Sequence, residues 1–360
     1  MKWAAAFVLV LAVVGAALYA VGLFLLPNGV DVTRTITIER PRATVFAQVN
    51  DLRIVRQWSP FNARDPSADY TFSGDPPGEG QSMSWSGDDR QVGHGELSIL
   101  RSEPLTRVHA LLRIGRRSTF DSIVTLQRQE APRGARTRVE WRVAATCREG
   151  WINVLCRYSN LMLQRRIASD LDQGLSELKE MSEADSMPTA DFEGFTPEFM
   201  TLPPEPFLFV LARVGKAVTG QEGAVNPRDV VARRVREAMR DGRRRVEDAM
   251  TRYNLIRTGA LVRVTVEDNA ERYVFRIGYP FDGPAPLALI AEDIGETPSG
   301  RVMRAMHEGP LAALPETYAQ AVAYLRAHQI EQRGPPWEVV LEDGETADAP
   351  VRIQIYFPIQ

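Results

Sequence analysis

Lysine is nearly missing from this 360-residue chain: Lys2, Lys179 and Lys216 are the only three, so almost all positive charge is arginine. Neither sign of charge dominates. Forty-three basic and 46 acidic residues leave a net charge of −3, which gives no strong field to draw in nucleic acid. Cysteine is scarce. Cys147 and Cys156 are the only two, and with no CxxC pair or Cys/His cluster nothing points to a metal site or a metal cofactor. There is no Ser/His/Asp arrangement and no glycine-rich phosphate loop, so the familiar hydrolytic and nucleotide-binding motifs are excluded. Charge is also absent from Trp3 to Leu26, "WAAAFVLVLAVVGAALYAVGLFLL".

That uncharged run would be roughly 36 Å long as a helix, enough to cross a bilayer core with some tilt. It has no polar face, which argues against a buried or surface helix of a soluble domain. The rival is a cleavable signal peptide, with a shorter apolar core and a small-x-small site. The best candidate, Ala20, has Leu18 at the −3 position, and apolar residues continue beyond it. We therefore read residues 1–27 as an uncleaved anchor. Lys2 and a two-residue tail suit a cytoplasmic N-terminus, although Arg34, Arg40 and Arg42 come soon after the span. The expectation is a single-pass inner (cytoplasmic) membrane protein with its soluble part outside the cytoplasm. An oxidising compartment would permit a Cys147–Cys156 disulfide; two small buried apolar side chains are the other reading.

Beyond the anchor, alternation and turn residues mark strands at 32–40, 70–74, 81–87, 95–104, 106–114, 118–129 and 137–146. One helix opened by Pro41 is predicted over the stretch ending at Phe61, and one long helix over 151–182. Residues 183–196 are acidic, small and Pro-containing, and read as a linker. The remainder of the chain is a pseudo-repeat. Its first half is a strand (198–214), a helix (227–254) and strands at 260–268 and 272–280. Its second half is a strand (300–309), a helix (315–328) and strands at 337–343 and 351–359. Two strand-helix-strand-strand units can share one curved sheet, with a ligand cleft along their pseudo-twofold axis.

The motifs carry two resemblances. Residues 32–182 resemble the START-like superfamily, specifically the polyketide-cyclase-like SRPBCC proteins. The likeness is carried by Trp58-Ser59-Pro60, Tyr70-x-Phe72-x-Gly74, Gly78-x-Gly80, Trp85, Gly93-x-Gly95, Trp141 and the helical Leu171-Asp172-x-Gly174-Leu175-x-x-Leu178. It implies a helix-grip fold with a hydrophobic cavity between sheet and helix, for which Trp58, Phe61, Trp85 and Trp141 are the candidate lining residues. Residues 197–360 resemble the GyrI-like, or AraC effector-binding, fold. His307-x-Gly309-Pro310, Gly334-Pro335-Pro336-Trp337-Glu338 and "VRIQIYFPI" carry that likeness. It implies a cleft for small, often cationic or amphipathic molecules, seen by the polar face of the last strand. Where such domains usually have an acidic residue, this chain has Gln354, and Leu311 replaces the usual aromatic residue after Gly-Pro. A glutamine hydrogen-bonds but brings no charge, so a more neutral pocket of Gln354, Tyr356, Trp337 and Tyr279 is expected.

The fold class expected is α+β: a transmembrane helix, a helix-grip antiparallel sheet, then a duplicated β-α-β-β domain. Glu338 would act as a general base only if desolvated. His307 and His94, without an evident partner, read as structural or turn residues. The basic cluster at 233–252 is interspersed with Glu237, Asp241, Glu247 and Asp248, so it reads as a solvated helix face, and no DNA-binding motif accompanies it. The function expected is binding of a small hydrophobic or amphipathic molecule beside the membrane, for sensing, sequestration or transfer. The alternatives are a cyclase-like or hydrolase-like enzyme, and an envelope interaction protein that takes no ligand.

Overall fold

Apolar residues alternate within the strand segments found between residues 29 and 146, and that period of two builds one antiparallel sheet. The computed structural model describes residues 2–87, 93–115, 118–131, 134–147, 153–217, 227–283, 294–343 and 349–360. It divides into two units, Met1–Glu193 and Gly194–Gln360.

The first unit opens with helix α1 (Lys2–Phe24) and strand β1 (Gly29–Ile38). The single helix expected after Pro41 is instead three: α2 (Arg42–Asn50), α3 (Leu52–Trp58) and α4 (Pro60–Arg64). The breaks have local causes. Asp51 is extended and its carboxylate accepts the Arg53 N–H; Ser59 is extended too, and its hydroxyl accepts the Phe61 N–H ahead of Pro60. Both are N-cap residues, which favour starting a new helix over continuing the old one.

Strands β2 (Asp69–Ser73), β3 (Ser82–Ser86), β4 (His94–Glu103), β5 (Arg107–Ile114), β6 (Ser118–Ala131) and β7 (Gly134–Thr146) come next, then the long helix α5 (Asn153–Glu183). The sheet order is β1-β7-β6-β5-β4-β3-β2, so the unit's first strand pairs with its last. The first two residues of the helix expected at 151–182 lie outside the described residues. Leu175 and Leu178 of α5 join Val45, Val49, Leu52 and Trp58 over the sheet in the main core. Further towards the start of α5, Leu171 packs with Val30, Val32, Phe120 and Val143. Cys147, just past β7, is disulfide-bonded to Cys156 in the first turn of α5.

Two motif glycines make room for tryptophan. A Cβ on Gly174 would stand 2.8 Å from the Trp141 ring, and one on Gly95 would stand 2.3 Å from the Trp85 ring. Their place in the sequence pattern is a packing requirement: a tryptophan lies where a side chain would start.

The strand expected at 198–214 is two, β8 (Glu198–Leu202) and β9 (Pro206–Gly215), interrupted at Pro203 and Pro204. The second unit continues with α6 (Pro227–Tyr253), β10 (Ile256–Arg257), β11 (Leu261–Asp268), β12 (Arg272–Asp282), β13 (Ile294–Glu296), β14 (Gly300–Pro310), α7 (Leu314–Ala327), β15 (Trp337–Glu342) and β16 (Pro350–Pro358). The sheet order β13-β9-β12-β11-β15-β16-β14-β8 shows the logic. In each half the strand before the helix pairs with the last strand, and the middle strands β11 and β15 pair across the seam. Helix α6 covers Leu208, Phe275, Ile277 and Tyr279, while α7 covers Met303, Ile353, Ile355 and Phe357.

Candidate functional site

In the first unit a cavity of about 200 Å³ opens between α4, α5 and strands β5–β7. Its walls are largely apolar: Phe61, Ile114, Phe120, Trp141, Leu163 and Ile167 contribute, and Arg64, Arg166 and Asp170 form its polar side. The α5 residues stand three or four apart, which puts them on one helix face. Arg64 and Asp170 form an ion pair, both side chains largely out of water. The Trp141 indole N–H donates to the Ser122 hydroxyl at 2.9 Å, which fixes the ring as a wall.

The four aromatic candidates separate. Phe61 and Trp141 line the cavity. Trp58 and Trp85 do not; they are core residues, 4% and 3% exposed. The Trp58 indole N–H donates to the Gln48 carbonyl at 3.1 Å and its ring meets Trp141 edge-on, while Phe61 stacks on Trp85. Their order along the chain carries no hint of this split, because depth in the fold depends on which strand faces which helix. The polar side was missed altogether: Arg64 and Asp170 are far apart in sequence and ordinary in their local context.

The second unit has a groove of about 310 Å³ between α6 and α7. Val235 and Met239 of α6, Leu311 ahead of α7, and Val351 of β16 wall it; Arg263 and Glu338 form its floor. Those two are direct cross-strand partners at the β11–β15 seam. They form an ion pair with side chains 12% and 7% exposed. The Tyr318 hydroxyl donates to Glu338 at 2.7 Å, and Arg263 also reaches the Met239 sulfur at 3.2 Å. Burial alone would lower the Arg263 pKa, but the adjoining Glu338 carboxylate holds it well above the usual guanidinium value. Burial, reinforced by Glu338, pushes the Tyr318 phenol far up.

None of the four cleft residues expected from sequence lines this groove. The alternation along the last strand is present, but Val351 and Ile353 face the helices, and the opposite set points to the other face of the sheet. There Tyr356 stacks on Trp337 at 5.5 Å within a buried cluster, and its hydroxyl donates to Gln354 at 2.8 Å. Tyr279 is on the helix side but lies under α6, 1% exposed, with its hydroxyl donating to Glu247 at 2.9 Å and Arg257 over its ring. The physical reason is the pairing. Which face of β16 meets the helices is set by the register of its neighbours, and strand alternation alone does not give the sign. His307 is buried, with ring nitrogens on the Thr317 hydroxyl and the Pro310 carbonyl. His94 is exposed. In the basic helix, Arg243 pairs with Glu247 and Arg244 with Asp241.

Residues 29–183 match the family model described as polyketide cyclase / dehydrase and lipid transport. That stretch is a polyketide cyclase/dehydrase-type, SRPBCC domain. Solved structures similar to the chain include CalU16 from Micromonospora echinospora, at 15% identity over 43% of this chain and 75% of that one, with a TM-score of 0.30. A truncated norcoclaurine synthase from Thalictrum flavum is 5% identical over 43% of this chain and 94% of its own, with a TM-score of 0.33. A Chromobacterium violaceum protein is 14% identical over 44% and 100% of the two chains, with a TM-score of 0.30. No curated protein matches the chain.

Proposed function

We propose that this chain is a membrane-anchored binding protein for small hydrophobic or amphipathic molecules. The observation that carries the reading is the aromatic-walled cavity under α5, with its charged groups gathered on one side. Such a site takes an apolar body by surface burial and leaves a polar end near Arg64, Arg166 and Asp170. Size limits the choice. About 200 Å³ lies above the roughly 150 Å³ void that admits benzene and below the roughly 300 Å³ lower bound for drug-sized ligands. The ligand is therefore one or two rings or a short acyl segment. The groove over Arg263 and Glu338 is the second candidate site, in keeping with the GyrI-like resemblance of residues 197–360. An enzyme reading would need an acid or base aimed at the ligand, and Arg64 and Asp170 are engaged with each other.

Native mass spectrometry on the full chain released from phospholipid nanodiscs tests this. We expect a reproducible small-molecule adduct that Trp141→Ala weakens and Leu311→Asp leaves intact. An adduct lost only with Leu311→Asp would move the ligand to the second unit. A bare chain in every case would sink the binding reading and favour an interaction protein.

The anchor reading has two supports. Helix α1 contains an apolar stretch, Phe7–Phe24, with a mean hydropathy of 2.6. It also makes contacts with the folded unit that a cleaved leader would not keep. The Cys147–Cys156 disulfide supports an extracytoplasmic domain, because reducing cytoplasm disfavours such bonds. Acid-trapped full-length protein taken from membranes is expected to react with a thiol alkylator only after reduction. Alkylation without a reductant would place the domain on the cytoplasmic side.

A further inference from the structure

Outside α1 and its exit, the described part of the first unit exposes four large hydrophobic residues: Leu100, Leu155, Leu161 and Met162. Three of them lie within eight residues near the start of α5. Met162 is 81% exposed and Leu155 is 69% exposed. Leu155, Tyr158 and Met162 stand at i, i+3 and i+7, so they share one helix face. An exposed apolar stripe of this kind on an otherwise ordinary surface marks a contact surface.

The same turns of α5 hold the end of α1. Arg157 donates at 2.6 Å to the Leu23 carbonyl, which the end of a helix leaves unpaired, and at 3.0 Å to the Leu26 carbonyl just past that end. Tyr158 donates to the Leu18 carbonyl at 2.7 Å. Gly22 allows this approach, since a Cβ there would stand 2.4 Å from Val154 and 2.8 Å from Tyr158. Asn153 and Asn28 hydrogen-bond at 2.9 Å beyond the apolar stretch and close the contact with polar groups.

The stripe is therefore continuous with the apolar helix. Leu18 is six residues from the end of α1, about 9 Å along its axis, and interfacial helices sink roughly 5–10 Å. Exposed Arg165 and Arg166 come shortly after Met162, with stems long enough to reach headgroup phosphates.

We propose that the opening turns of α5, residues 153–166, are seated in the interfacial layer of the bilayer that α1 enters, which brings the polar side of the cavity to the headgroups. Arg166 belongs to both features: it continues the stripe and it lines the cavity. An apolar ligand then moves between bilayer and cavity without crossing bulk water. This rests on reading α1 as an anchor.

The test uses the full chain in phosphatidylcholine/phosphatidylglycerol vesicles, with the native disulfide intact. Single cysteines introduced by Val13→Cys, Leu100→Cys, Leu155→Cys and Met162→Cys carry a nitroxide. Relaxation by oxygen, which partitions into lipid, is compared with relaxation by a water-soluble nickel chelate. All four side chains are exposed, so the changes leave packing undisturbed, and circular dichroism confirms the fold. The expected result is an oxygen-to-nickel ratio at 155 and 162 several-fold above that at 100, approaching that at 13. Lipid exposure at 13 with water exposure at 155 and 162 overturns the seating and leaves the anchor standing. Water exposure at 13 overturns both.

Discussion

Glu338→Gln is expected to cost the second unit about 3 kcal/mol and to lower its melting temperature by about 6–12 °C. The change keeps the shape of the side chain and an acceptor for Tyr318, but leaves the Arg263 guanidinium buried without a counter-charge. Breaking one side of a buried pair is costly because the other charge stays out of water; removing both is a different experiment. Combining Arg263→Met and Glu338→Leu with Tyr318→Phe, so that no hydroxyl is orphaned, is expected to restore stability to within about 1 kcal/mol of the native chain. Calorimetry on the full chain in mild detergent reads both. An unshifted Glu338→Gln transition would mean that water from the groove already solvates the pair.

Trp58→Ala should cost the first unit about 3–5 kcal/mol, because it empties a buried site and removes the indole hydrogen bond to the Gln48 carbonyl. Trp141→Ala should cost clearly less, since that ring already borders open space and its removal enlarges an existing cavity. The comparison separates core from wall for two aromatics that touch edge-on. Equal losses on the calorimeter would erase the distinction and return Trp141 to the core.

Much of the fold was legible because the pattern is local. The long helix at 151–182, the seven strands before it and the two strand-helix-strand-strand halves all come from period and turn residues, and their boundaries agree with the structure to within a few residues. The misses were of two physical kinds. Capping overrode helical spacing at Asp51 and Ser59, and the Pro203-Pro204 step interrupted what looked like one strand; both signals were present in the sequence and were outweighed by the longer period. The floor of the groove was hidden for a non-local reason. Arg263 and Glu338 meet only because β11 pairs with β15 across two halves of the unit. Each is a lone charge on the helix-facing side of an apolar strand. That oddity was visible in "LVRVTVED" and "WEVVLE", but the pairing that gives it meaning was not.

The seam has a consequence for partner choice. The two halves share one connectivity, yet each contributes a single sign of charge where they meet, arginine from the first and glutamate from the second. Like halves pairing through these strands at that register would bury two positive or two negative groups against each other, whereas unlike halves bury a neutral pair. Discrimination between self and complement is thus written into one rung of the sheet. Within the second unit that rung matches one half to the other by charge.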